Sequence, residues 1–222
     1  MKENYLTKQN ISSKTNEWMS KLRVPNLRKK NFKFSPENSA LLVIDMQEFF
    51  LDEKSHAFVP AAGTIIPNIN LMIDAYRKRD YPIIFTTHAL ARNEKPGIMG
   101  RWWSDVLRVT NPLSKIHSSL NLRKSDISLR KSRYSAFIGS NLDQMLKDKK
   151  IDTLVITGIM THLCCESTAR DAFMKDYEVY FVVDATAAET ESLHVSSLRT
   201  LTDGFVIPVK TDDVLKEVRL LE

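Results

Sequence analysis

The chain has 222 residues, 43% of them hydrophobic and 27% charged, with two cysteines and a formal net charge of +5. That length accommodates one substantial α/β domain or two small ones, and the composition is ordinary for a globular protein. No apolar run approaches the ~20 residues of a membrane span, the N-terminus has charges where a signal peptide needs an apolar core, and two adjacent cysteines make no disulfide framework, so the expected setting is cytoplasmic.

The positive charge is local. Residues 1–35 hold nine Lys or Arg against Glu3 and Glu17, a net +7, which leaves −2 for the rest. Residues 1–36 are therefore read as a basic N-terminal arm and 37–222 as the domain. The arm is polar apart from Trp18, Met19 and Leu22, and Pro25 and Pro36 interrupt it, so one or two helical turns are expected. A basic arm can bind polyanions, but such arms more often lie in solvent or against a neighbour. Neither nucleic acid nor a membrane is the expected partner.

The domain opens with Ala40 to Ile44, a continuous apolar run of the kind buried on both faces in a parallel sheet, followed at once by Asp45. A carboxylate there lies at the sheet's C-terminal edge, where open α/β sheets place ligands, although Asp in such a place is also a common cap or turn residue. Phe49, Phe50 and Leu51 form an apolar segment beside that edge. Ile66, Ile69, Ile73 and Tyr76 give helical periodicity over 65–79. Tyr81 to Thr87 reads as the second strand, with His88 at its end. Metal binding requires convergent partners, and downstream to Lys95 only Glu94 is of ligand type, so no metal is expected.

Residues 91–125 are loop-rich and contain Trp102 and Trp103, which serve a pocket or anchor the loop. The stretch 127–137 alternates and includes Lys131, a helix opens at Asn141, and Thr153 to Thr157 is another buried strand. Gly158 to Cys165 turns the chain into a helix over 166–176, marked by Ala169, Ala172 and Phe173. Strand 178–183, an Asp184 turn, helix 192–202 and strand 205–209 follow. The alternation predicts one α/β domain with a mostly parallel sheet of about six strands. Both cysteines sit at the strand-to-helix junction. A thiol there is either a small buried residue or a reactive group whose anion the helix start favours.

Three segments, in order, resemble the isochorismatase-like, or cysteine hydrolase, superfamily. They are Ala40-Leu-Leu-Val-Ile-Asp-Met-Gln47, Lys131-Ser-Arg-Tyr-Ser-Ala-Phe137, and Gly158-Ile-Met-Thr-His-Leu-Cys-Cys-Glu-Ser-Thr-Ala-Arg-Asp-Ala172 with Asp184-Ala-Thr-Ala187. The resemblance implies a three-layer Rossmann-like domain with helices on both faces, and an assembly of two or four copies. It also implies an Asp45–Lys131–Cys164 triad and a cis peptide at Ile159–Met160, with the N–H groups of Met160 and Cys164 as an oxyanion hole. Cys165 is left to packing. Gln47, Phe50, Trp103, Tyr134 and His162 are the expected substrate contacts, with no metal and no cofactor.

The chemistry agrees with that triad. Acyl transfer needs a nucleophile, a group that moves a proton, and donors for the oxyanion. A Lys131 ammonium and a helix start should lower the Cys164 pKa, while Asp45 takes the thiol proton and passes it to the leaving amine. The nicotinamidase-like branch of the family binds a metal through an Asp and several His residues, a pattern that His88 alone does not match. The isochorismate-cleaving branch resembles this chain in its lead-in, Phe34-Ser-Pro-Glu-Asn-Ser-Ala-Leu-Leu42, but generally has Gly at the nucleophile position. Cys164 therefore favours a cysteine hydrolase acting on a C–N bond of a small amide, ureide or carbamoyl substrate through a thioester. The alternatives are vinyl-ether hydrolysis without covalent catalysis, and a non-catalytic paralogue that binds a partner.

Overall fold

The chain forms six strands: β1 (Ser39–Ile44), β2 (Ile83–His88), β3 (Ile127–Lys131), β4 (Thr153–Ile159), β5 (Glu178–Ala187) and β6 (Ile207–Val209). In the computed structural model, which describes residues 2–24 and 31–219, they form one sheet in the order β3-β2-β1-β4-β5-β6, every pair parallel. Every residue of β1 and β4, the two central strands, is buried, which is why Ala40 to Ile44 and Leu154 to Ile156 are continuously apolar and not alternating.

Among the described residues the helices are α1 (Ile11–Lys21), α2 (Glu48–Leu51), α3 (Ala62–Lys78), α4 (Ile98–Trp103), α5 (Leu142–Asp148), α6 (Glu166–Phe173), α7 (Glu191–Gly204) and α8 (Thr211–Arg219). The chain leaves β1 toward one edge of the sheet and β4 toward the other. Right-handed crossovers then put α3 and α6 on opposite faces, giving three layers. The strand order reverses between β1 and β4, so a crevice opens at their C-terminal ends.

Several boundaries differ from expectation: the helix expected over 166–176 ends at Phe173, and the strand expected over 205–209 spans Ile207–Val209. β5 runs on to Ala187 instead of stopping at 183, because the polar residues that looked like a turn are satisfied inside the fold. Thr186 donates to the Val182 carbonyl at 3.1 Å, and the Asp184 carboxylate accepts from the Thr211 N–H and hydroxyl at 2.8 and 2.9 Å. Helix α8 was not anticipated. Its signal is present nonetheless: Val214, Leu215 and Val218 are buried along one face, with Asp212 and Asp213 in the first turn.

The N-terminal segment is more ordered than the expected one or two turns. Helix α1 spans three turns and buries Trp18 to 1% exposure, while Tyr5 and Leu6 are buried ahead of it. Trp18 Nε1 donates to Glu191 Oε1 at 2.9 Å and Lys14 Nζ lies 2.6 Å from Glu191 Oε2, so part of the basic charge pairs with the start of α7. Pro25, Arg28, Lys29 and Lys30, counted in the arm, lie outside the described residues.

His194 of α7 sits in this contact with no exposure, its ring centroid 4.6 Å from that of Trp18 and its Nδ1 2.8 Å from the Thr161 hydroxyl. Burial pushes its pKa down to about 3, and burial likewise pushes His88 down to about 4. An unfolded histidine binds a proton near pH 6.5, whereas these two do not until far lower. Stability from both is therefore complete above about pH 6.5 and is lost as pH falls toward 4 and then 3. The urea midpoint should drop between pH 7.5 and pH 5, and His194→Gln should flatten that drop. A midpoint constant across this range would contradict the placement of both imidazoles.

Candidate active site

The ends of β1, β2 and β3 and the turn after β4 supply Asp45, His88, Lys131 and Cys164. Register explains the convergence. Ile44 pairs with Gly158 across β1 and β4, and His88 pairs with Lys131 across β2 and β3, so the residues at or just past these ends share one edge of the sheet. Gly158 has φ +106°, and a Cβ there would stand 2.1 Å from the Ile44 carbonyl oxygen. Only glycine lets β1 and β4 approach this closely at the point where the turn leaves the sheet. Asp45 adopts φ +49°, a sparsely populated conformation for a residue with a side chain. Two hydrogen bonds to Thr86 hold it: the Thr86 hydroxyl donates to Asp45 Oδ1 at 2.7 Å and accepts from the Asp45 N–H at 3.1 Å.

Lys131 has no exposed surface. Its ammonium donates to Cys164 Sγ at 3.2 Å and to the Arg133 carbonyl oxygen at 3.0 Å, and pairs with Asp45 Oδ2 at 2.6 Å as an ion pair. Burial works to lower its pKa, but the Asp45 carboxylate and Cys164 outweigh that and hold it above the ordinary value, so the amine stays charged. Cys164 lies within a π-helical turn, Thr161–Cys165, after the cis Ile159–Met160 peptide. The Thr168 hydroxyl donates to its carbonyl at 2.7 Å and accepts the Ala136 N–H at 3.0 Å, tying the turn to the segment after β3.

The expected lowering of the thiol pKa does not hold. Burial, assisted by the Asp45 charge, pushes Cys164 up to about 12 against the opposing pull of Lys131. The neighbouring carboxylate and the dry surroundings resist a second anion more than one ammonium favours it. The resting site therefore holds a carboxylate, an ammonium and a neutral thiol. Cys165 is fully buried, and its thiol is also raised, first by burial and then by Cys164.

A cavity of about 190 Å³ opens beside Cys164. Phe49, Phe50, Leu90, Met160 and Leu163 supply apolar wall, and Trp103 donates from Nε1 to the Tyr134 hydroxyl at 2.8 Å to close one side. Of the expected substrate contacts, Phe50, Trp103 and Tyr134 line the cavity. Gln47 and His162 are not among its lining residues. The Gln47 amide is saturated by the backbone: it accepts from the His88 N–H at 2.7 Å and donates to the Ser114 and His88 carbonyls at 2.8 and 3.2 Å. It is a strut that fixes the end of β2. Gln47→Leu, which strands those groups in the interior, should cost about 2–3 kcal/mol in urea unfolding. A cost below about 0.5 kcal/mol would mean that water replaces the amide. His162 is half-buried, and burial lowers its pKa while Glu189 and Glu166 oppose that.

His88, set aside in the sequence for want of partners, does meet Asp45 and Cys164, their donor atoms lying within 4.8 Å of one another. Its Nδ1 has no hydrogen-bond partner among the described residues. These are metal-ligand types, but the Lys131 ammonium already contacts two of the three. A divalent cation would have to displace a buried positive charge that the carboxylate needs, so the donor set fits Lys131 better than a metal.

The fold is shared with known proteins. Residues 39–213 match the family model described as "Isochorismatase domain". The chain belongs to the isochorismatase family. Among its relatives, Nicotinamidase 3 of Arabidopsis thaliana is 32% identical over 210 residues, 93% of this chain and 98% of that one. Enterobactin synthase component B of Escherichia coli K12 is 31% identical over 84% of this chain and 66% of its own length. A cysteine hydrolase from Pseudomonas syringae pv. phaseolicola shares the fold, with a TM-score of 0.83 over 86% of this chain and 97% of that one at 24% identity. Within this isochorismatase-family hydrolase, the region that the family model matches begins at β1, after helix α1. Thr86 and Lys2 are among the residues of the site that sequence reasoning missed. Thr86 carried a signal, since a polar residue late in a buried strand needs a partner. Lys2 carried none, because nothing local tells where the start of a chain will come to rest.

Proposed function

We propose that this chain is a cysteine hydrolase that cleaves the C–N bond of a small, uncharged amide or carbamoyl compound through a thioester on Cys164. The observation that carries the reading is the buried trio in which one ammonium contacts both the Asp45 carboxylate and the Cys164 sulfur, at 2.6 and 3.2 Å. Because the resting thiol is neutral, Asp45 acts as the base only as sulfur attacks the carbonyl carbon. The thiol proton moves to Asp45, the C–S bond forms, and the carbonyl oxygen becomes an oxyanion, for which the Met160 and Cys164 N–H groups are the candidate donors. Collapse breaks the C–N bond as protonated Asp45 gives its proton to the leaving amine. Asp45 then takes a proton from water, the hydroxide attacks the thioester, and the departing sulfur recovers the proton. Lys131 remains charged throughout, offsetting the negative charge that passes between oxygen and sulfur.

The cavity supports this substrate class. At about 190 Å³ it suits a small ligand, and its mainly apolar wall favours a neutral one. The similarity to a nicotinamidase supports a primary carboxamide. Isochorismate carries two carboxylates, whereas the lining offers one ammonium, Lys2, alongside the carboxylates of Asp105 and Glu189. The deciding experiment offers the protein nicotinamide, other small primary amides, carbamoyl compounds and isochorismate, assaying ammonia release and, after acid quench, acyl mass on Cys164. Ammonia with a trapped acyl adduct is the expected result. Turnover of isochorismate alone, with no adduct, would replace this reading with vinyl-ether hydrolysis.

A further inference from the structure

The cavity beside Cys164 is completed by a residue far ahead of the region that the family model matches. Lys2 lines it, on the side where the exposed His56 and Asp105 also stand. The segment that carries Lys2 is anchored along its length. The Glu3 N–H donates to the Glu189 carbonyl at 2.8 Å, and Glu3 Oε2 accepts from the Glu191 N–H at 2.9 Å. The Ala188 N–H donates to the Tyr5 hydroxyl at 3.0 Å, and the Thr64 hydroxyl donates to the Leu6 carbonyl at 2.9 Å. Tyr5 and Leu6 are buried at 7% and 0% exposure, so the strap is held by the core as well as by hydrogen bonds. It ends by bridging two walls of the cavity. Lys2 Nζ donates to the His56 carbonyl at 2.7 Å and stands 3.6 Å from Glu189 Oε1.

We propose that Lys2 is a specificity-determining residue whose ammonium forms the polar outer end of the substrate pocket. It binds an uncharged hydrogen-bond acceptor, a carbonyl oxygen or ring nitrogen, at the end of the ligand remote from Cys164. The inference rests on the reading of Cys164 as the group that substrate must reach. An ammonium has three donors, and the one short contact uses one. Glu189 at 3.6 Å balances the charge without saturating the donors. A ligand carboxylate would meet Lys2 but also face Glu189 and Asp105, and a ligand cation would meet the ammonium. A neutral acceptor takes the hydrogen bond and incurs neither repulsion.

The test uses the full-length protein and labelling of Cys164, which needs the pocket and the thiol but no turnover. Plain iodoacetamide is compared with three N-ethyl derivatives whose tails end in a primary amide, a carboxylate or a trimethylammonium group. Rates are measured at pH 9 and assigned to Cys164 by fragmentation. The amide-tailed probe should be the fastest of the tailed three. Relative to plain iodoacetamide, Lys2→Met should slow the amide tail and speed the cationic one, changing their ratio roughly fivefold to tenfold, the effect of one charge at this range in a partly solvated site. Lys2→Arg should restore the original order, and Glu189→Gln should raise the carboxylate tail instead. Tail ratios unchanged by Lys2→Met would overturn the proposal, and a thiol that no probe reaches would overturn the pocket itself. Ready labelling with the expected ratios but no amide turnover would remove the hydrolase reading and leave the role of Lys2 standing.

Discussion

Lys131→Met is expected to destabilise the fold by about 3–5 kcal/mol, well beyond the loss of an ordinary surface lysine. The ammonium and the Asp45 carboxylate are both wholly buried and 2.6 Å apart, so removing one leaves the other as an uncompensated charge in a dry site. The Arg133 carbonyl loses its 3.0 Å donor in the same step. Methionine keeps most of the volume, which separates the charge effect from a cavity effect. The control is the double variant Lys131→Met with Asp45→Asn, which removes both charges. Urea unfolding should find the double variant less destabilised than Lys131→Met alone, since a missing pair costs less than a broken one. If Lys131→Met costs under about 1 kcal/mol, water reaches the pair and the ammonium is not the electrostatic centre of the site. Amide hydrolysis should be lost in both variants, because neither retains the ammonium beside Cys164.

The sheet was legible because burial on both faces leaves a signature that does not depend on anything distant. Ala40 to Ile44 and Leu154 to Ile156 are continuously apolar, and both lie in central strands. The polar residues at their ends followed from the same argument, since Asp45 and the Cys164 turn had to fall at the sheet's C-terminal edge. What the residues alone left open depends on long-range partners. Gln47 looked like a pocket residue from its place beside Asp45, yet its amide is claimed by backbone at 88 and 114, a contact set by the path of the long loop before β3. Trp18 in a basic stretch looked peripheral until Glu191 and His194 came to it from the far end of the chain. The thiol pKa was misjudged for a related reason. A neighbouring ammonium can be named from sequence, but the extent of burial, which outweighs it here, cannot.

Adjacent cysteines offer a sharper test of the chemistry than any single substitution. Cys164→Ala should reduce amide hydrolysis by at least about a thousandfold, as loss of a nucleophile does when the rest of the site survives. Cys165→Ala should retain activity within a small factor, because that thiol is fully buried, points its sulfur toward the Thr157 carbonyl at 3.9 Å, and is not among the residues that line the cavity. Alkylation as a function of pH tests the state of the Cys164 thiol. With its pKa pushed up to about 12, the Cys164 thiolate fraction grows as pH rises and has no plateau near neutrality. Iodoacetamide labelling should therefore climb steadily from pH 7 to pH 10 and be lost in Cys164→Ala. A labelling rate already level at pH 7 would mean a preformed thiolate, with Lys131 and not burial in control of the sulfur. Activity that survives Cys164→Ala and disappears in Cys165→Ala would transfer the nucleophile to the neighbouring residue. It would also require the π-helical turn to present its other face to the cavity, which the contact between Cys165 and Thr157 opposes.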